Sequence, residues 1–238
     1  MSARSRSPFD PFRLTENGLW LRDNTIANVS ASRHGFAPKL PNDATKYLDG
    51  TGAWSTPAGG GGSALVFLER HVASNSAQLD FTAFISGTYD KYLIVGESLV
   101  AGTSGADLYM RVGAGGGPTY DTGNNYEYGR IGIKLSSPGS TSNVGVGAVG
   151  QMKVFEGMGT TAGWAGDFRL TVTSLQSTSL RKSFFGDGRY IDSSPAAVMM
   201  SWEGQWNNTG TAATALRFLM SSGNIASGSI TIYGMANS

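Results

Sequence analysis

"FRLTVTSL", residues 168–175, decides how the chain is read: Phe168, Leu170 and Val172 alternate with Arg169, Thr171 and Thr173, so one face is apolar and the other polar. A period of two marks a half-buried β-strand, because successive Cβ atoms leave a strand on opposite sides. Runs of similar texture precede it: "ALVFLERHV" (64–72), "LDFTAFI" (79–85), "YLIVGESLV" (92–100), "LYMRVG" (108–113), "YGRIGIKL" (128–135) and "MKVFEG" (152–157). "AVMMSWEGQW" (197–206), "LRFLMS" (216–221) and "SITIYGM" (229–235) follow it. Gly, Ser, Asn and Asp turns separate the runs. About ten strands with no sustained 3.6-residue apolar stripe between them predict an all-β fold, an antiparallel β-sandwich of jelly-roll-like build. The best helical candidate is "NDATKYLDG" (42–50), where Asn42 or Asp43 as N-cap and Gly50 as stop suit a single turn.

Upstream of residue 63 the pattern stops. Pro8, Pro11, Pro38, Pro41 and Pro57 forbid long helices, and the apolar residues come singly or in short groups. Residues 1–62 therefore read as an extended arm, closed by the joint-like run Gly59 to Gly62, and residues 63–238 as the β head. Ordering a residue costs roughly 1–2 kcal/mol of backbone entropy, so a polar arm orders only against a partner surface. Its spaced anchors, Leu19, Trp20, His34, Phe36, Pro38, Leu40, Leu48 and Trp54, favour docking over a purely solvating tail.

Composition narrows the chemistry. The 238 residues carry a formal net charge of +1 with only 15% charged side chains, which gives no electrostatic footprint for nucleic acid. No cysteine is present, so disulfides, zinc–thiolate sites and cysteine nucleophiles are excluded; His34 and His71 are the only imidazoles. Arg4, Arg6 and Arg13 are not followed by an apolar signal region, and no apolar run is long enough to span a bilayer. The expectation is a soluble chain made in the cytosol, without membrane insertion.

Motifs for catalysis are weak. "GVGAVG" (145–150) fits G-x-G-x-x-G, but no apolar strand precedes it and no helical pattern follows, so it reads as a glycine-rich turn and twisted strand. "GAGGGP" (113–118) lacks the Lys-Ser/Thr of a phosphate loop. No G-x-S-x-G elbow exists, and His71 sits in a strand-like run. Carboxylates that could approach one another for glycan cleavage are Asp121 with Glu127 and Asp187 with Asp192. A hard cation would find oxygen ligands around Asp121, Asn124 and Asn125 or around Asp187 and Asp192, although neither spacing is that of an EF-hand. No cofactor and no enzymatic activity are expected. Both tryptophans of "SWEGQWNNTG" (201–210) fall on one face by alternation, which suits core packing.

The segment richest in recognition chemistry is "PTYDTGNNYEYGR" (118–130). Tyr120, Tyr126 and Tyr128 supply flat apolar faces beside Asp121, Asn124 and Asn125, a combination suited to a sugar ring or a protein epitope. Three readings stay open for it: receptor contact, a hairpin loop with its tyrosines folded onto the sheet, and contact with a neighbouring subunit.

A resemblance adds to these readings. "LRDNTIANVSASRHGFAPKLPNDATKYLDGTGAWSTPAGG" (21–60) resembles a short module of bacteriophage fibre and other virion structural proteins, through Ser32, His34, Gly35, Pro38, Lys39, Leu40, Pro41, Leu48, Gly50, Gly52, Trp54 and Pro57. "FLMSSGNIASGSITIYGMA" (218–236) is similar to the ending of fibre heads, while the middle matches in texture alone. The resemblance implies a virion component, a homotrimeric tail fibre whose arm joins other virion proteins and whose head meets a host-surface glycan or protein. Alternatives are a capsid decoration or head-fibre protein and, less favoured by length and histidine poverty, a glycan-cleaving enzyme.

Overall fold

The structure, a computed structural model, describes residues 12–15, 18–21, 43, 46–55, 65–136 and 141–235. The chain divides into two units, Met1–Gly61 and Gly62–Ser238. In the first, β1 (Phe12–Thr15) pairs antiparallel with β2 (Gly18–Leu21), and β3 (Tyr47–Leu48) with β4 (Trp54–Ser55). In the 42–50 stretch, where the sequence suits a single helical turn, Lys46 N donates to Asp43 O at 3.3 Å, Asn42, Ala44 and Thr45 lie outside the described residues, no helix occurs among the described ones, and Tyr47 and Leu48 are extended. Asp49 is the reason. Its carboxylate accepts from Thr51 N at 2.8 Å, Thr51 Oγ1 at 2.5 Å, Ala53 N at 3.1 Å and the Ser55 hydroxyl, so "LDGTGAW" closes as a tight turn. Gly52, at φ +83°, supplies the left-handed residue that this turn requires.

The second unit contains β5 (Leu65–Val72), β6 (Gln78–Phe81), β7 (Lys91–Ala101), β8 (Ala106–Ala114), β9 (Thr119–Tyr120), β10 (Tyr126–Lys134) and β11 (Thr141–Val149). It continues with β12 (Met152–Met158), β13 (Gly166–Thr173), β14 (Lys182–Ile191), β15 (Ala197–Trp206), β16 (Ala215–Met220) and β17 (Ile225–Met235). Eight strands form one sheet in the order β11-β10-β15-β14-β13-β7-β17-β5; β12-β8-β16-β6, with β9 beside β8, form a second. Every pairing is antiparallel. The all-β antiparallel sandwich expected from the alternating runs is the fold.

Alternation explains what lies between the sheets. Phe168, Leu170 and Val172 of β13 face inward and are buried, whereas Arg169 is exposed. Phe155 from the smaller sheet meets Phe168 edge-on at 5.9 Å and Trp202 at 6.0 Å, and Phe218 lies 5.8 Å from Phe168. Each fully buried aromatic or aliphatic side chain contributes about 1.5–3 kcal/mol. Room for these rings comes from inward-facing glycines: a Cβ at Gly166 would come within 2.7 Å of the Phe155 ring, and one at Gly188 within 3.0 Å of that ring and 2.8 Å of Asp167 O. The sequence pattern does not single out β14, because Gly186, Asp187 and Gly188 interrupt its apolar run. "GVGAVG" lies mostly within β11, and "LDFTAFI" is a strand only as far as Phe81.

Candidate functional site

The segment 118–130 folds upon itself. Thr119 and Tyr120 pair with β8, and Asp121 N donates to Val112 O at 2.9 Å. The Asp121 carboxylate then acts as a hub, accepting from Gly123 N at 2.7 Å, Asn125 Nδ2 at 2.8 Å and Trp206 Nε1 at 2.6 Å. Tyr126 is fully buried; its hydroxyl accepts from Val112 N at 2.8 Å and donates to Asp121 O at 3.3 Å. Burial pushes the Tyr126 phenol well up. Tyr128 is 8% exposed. Tyr120 is half-buried with the Arg217 guanidinium 3.8 Å over its ring, and burial, reinforced by Asp80, pushes its phenol up to about 12.

The receptor-contact assignment of Tyr126 is therefore corrected, and that of Tyr128 is reduced to the fraction of its ring that reaches the surface. Both face inward on β10 because the inward register of that strand begins at residue 126. Thr122, Gly123 and Asn124 are the exposed residues of the loop, with Asn125 half-buried. Of the readings for this segment, the folded hairpin describes Tyr126.

A small pocket opens beside this loop. In β8, Leu108, Met110 and Val112 face the core, while Asp107, Tyr109 and Arg111 face away. Tyr109, Arg111, Thr122, Tyr128, Val149, Gly150 and Gln151 enclose about 330 Å3. Gln151 Oε1 accepts from both Arg111 Nε at 2.9 Å and Nη2 at 2.6 Å, which fixes the plane of the guanidinium. Directly opposite Arg111 on β16 stands Arg217, whose charge is met by a two-point pair with Asp80 at 2.6 and 2.7 Å.

The acids near this pocket are engaged. Asp107 accepts from Tyr109 Oη at 2.9 Å and Gly157 N at 2.8 Å, and pairs with Lys153 Nζ at 2.7 Å. Burial works to raise the Asp107 pKa, but Lys153, Gly157 and Tyr109 together hold it below the ordinary carboxylate value. Glu156 pairs with Arg130 at 2.5 Å and with Lys153 at 3.3 Å.

Larger hollows, of about 730 and 510 Å3, lie on the outer face of the eight-stranded sheet. Gly129, Gly145 and Glu203 are common to both, with Phe185 and Ile131 beside the first. Ile131, Ile133, Leu135, Phe185 and Met199 are exposed on these outer strands and the turn after β10. Cross-strand ion pairs Arg169–Asp187 and Arg189–Asp167, each 2.7 Å, cross the same face.

The remaining sequence candidates separate. Glu127 faces outward, bonded by Gln205 Nε2 at 2.6 Å, while Asp121 turns to Trp206, so these two carboxylates do not share a cleft. Asp187 pairs with exposed Arg169, whereas Asp192 is buried and pairs with Lys134 at 2.5 Å. His71 contacts Glu69 at 2.8 Å and lies edge-on to Phe81 at 4.6 Å. Among the described residues no three His, Asp or Glu side chains are grouped to hold a metal.

In the arm, Leu19 and Trp20 belong to β2, and Leu48 stands opposite Trp54 across the β3–β4 hairpin. Tyr47 and Leu48 are exposed. His34, Phe36, Pro38, Leu40 and the Gly59 to Gly62 run lie outside the described residues. Sequence reasoning missed Arg111, since a single arginine on the polar side of a strand carries no signal of its own. No family model, curated protein or solved structure matches the chain.

Proposed function

We propose that this chain is a bacteriophage virion structural protein: a homotrimeric tail fibre whose residues 1–62 dock on the particle and whose β head contacts the host surface. One observation carries the reading. Every described side chain of the hydrophobic core cluster falls between Ala73 and Ile232, so the head has a complete interior of its own, while the arm hairpin leaves Tyr47 and Leu48 uncovered. An arm whose described residues bring exposed anchors but no member of the core cluster suits assembly with other chains. The module resemblance over residues 21–60 supplies the kind of assembly, and three arms wound together would share the anchor side chains.

Deleting residues 1–60 tests this. The head should stay folded by circular dichroism yet be missing from purified particles; unchanged incorporation would refute the arm's role. Gold-labelled antibody against the head should mark tails, and shell labelling would replace the fibre with a decoration protein.

A further inference from the structure

We infer that the Arg111 pocket binds a sugar that carries a carboxylate, a reading that rests on the head as the host-contacting body. The first reason is a charge that the fold does not use. Arg111 and Arg217 are cross-strand partners, and like charges in that position are destabilising. Asp80 neutralises Arg217, but among the described residues Arg111 has only the Gln151 amide oxygen and makes no ion pair.

The second reason is geometry. Gln151 takes Nε and Nη2, while Nη1 has no partner among the described residues and the far end of the fork is open to them, the edge that receives a carboxylate by two parallel hydrogen bonds. The guanidinium is held in place before a ligand arrives.

The third reason is the lining. Tyr109 offers aromatic surface beside the small exposed part of Tyr128, Thr122 a hydroxyl and Gln151 an amide, which suits a pyranose ring with its alternating C–H and O–H groups. About 330 Å3 is at the small end of ligand sites, the size of a terminal sugar and its substituents rather than a peptide strand. Nearby acids do not oppose the ligand's charge: Asp107 and Glu156 are matched by Lys153 and Arg130, and Asp121 is turned to Trp206, Gly123 and Asn125.

The test uses the full chain and saturation-transfer NMR with calorimetry. Probes are oligosaccharides ending in N-acetylneuraminate or glucuronate, with lactose and glucose 6-phosphate as the neutral and phosphorylated arms. At least one acid-terminated probe should bind, lactose should not, and Arg111→Gln should weaken binding about 10–100-fold, the loss of a charge-assisted contact. Arg111→Lys, which keeps the charge without the fork, should lie between. Thr122→Trp, at an exposed loop position outside the core, should block the pocket while leaving the melting temperature unchanged.

Equal binding of lactose, tighter binding of glucose 6-phosphate, no binding of any acid probe, or unaltered binding by Arg111→Gln and Thr122→Trp would each overturn the assignment. Particles that carry the protein while its head ignores acid sugars would defeat this site and leave the fibre reading intact. Particles that lack it while acid sugars still bind would do the reverse.

Discussion

Asp121 joins the loop before β10 to the sandwich interior, so its removal should be felt in the core. Trp206 is 1% exposed, and its indole N–H donates to Asp121 at 2.6 Å. In Asp121→Ala that donor is left buried without an acceptor, a loss of about 1–3 kcal/mol, with roughly 0.5 kcal/mol more for each of the partly solvated Gly123 and Asn125 contacts. A total of about 2–4 kcal/mol should lower the midpoint of thermal unfolding by about 5–15 °C for a domain of this size. Asp121→Asn should recover part of this, because one carbonyl oxygen can serve only some of the donors.

The decisive measurement is a double-mutant cycle with Trp206→Phe, which removes the indole donor. Urea unfolding should be followed by far-ultraviolet circular dichroism, since the tryptophan signal changes in the variant. In the Trp206→Phe background, Asp121→Ala should fall to about 1 kcal/mol, giving a coupling of about 1–3 kcal/mol. A coupling below about 0.5 kcal/mol would show that the short contact does not tie loop to core, and the hub argument would fail.

Other outcomes follow from contacts already described. Gly188→Ala, whose Cβ would meet Asp167 O at 2.8 Å and Phe155 at 3.0 Å, should destabilise by about 1–3 kcal/mol in urea, whereas Gly145→Ala, with nothing within 4 Å, should be neutral or slightly stabilising. The Tyr190 phenol, pushed up to about 12 by burial and then by Glu156, contributes stability that is complete below pH 10.0 and lost as pH rises toward 12, about 2–3 kcal/mol in all. Tyr190→Phe should flatten the alkaline limb of a stability–pH profile. The hydrogen bonds of Ser55, Thr51 and Ala53 hold the Asp49 pKa well below 3.8, so the β3–β4 hairpin is supported above that pH and loosens as pH falls beneath it. Protection of the Thr51 and Ala53 amides, taken relative to the intrinsic exchange rate at each pH, should fall on acidification, and Asp49→Asn should show the low protection at neutral pH.

The strands most legible in the sequence are those whose faces differ cleanly. "FRLTVT" alternates without interruption, Val198, Met200, Trp202 and Trp206 share one face of "AVMMSWEGQW", and β15 runs from Ala197 to Trp206 as its composition implies. Strand β14 was hidden by the same glycines that the packing needs, since Gly188 looks like a breaker locally but makes space for Phe155 and Phe168. The local signals at 42–50 suited a helix cap equally well, and only the convergence of Thr51, Ala53 and Ser55 on Asp49 selects the hairpin. For the site, the aromatic and amide content of 118–130 was visible, but its direction was not: inward or outward is set by register with β15, a long-range property. The unmatched charge of Arg111 depends on Arg217 and Asp80, far away in sequence, and is invisible to any local pattern.

The position of β5 carries a mechanical consequence. It is the first strand of the head and an edge of the eight-stranded sheet, and Leu65 at its start pairs with Met235 near the end of the chain. A pull arriving through the preceding residues therefore loads a single rim strand. Tension along that strand would shear its registered pairs with β17 together, whereas tension across the rim would peel them in succession from Leu65. The rim strand is thus resistant in one direction and yielding in the other, and the angle of loading decides which.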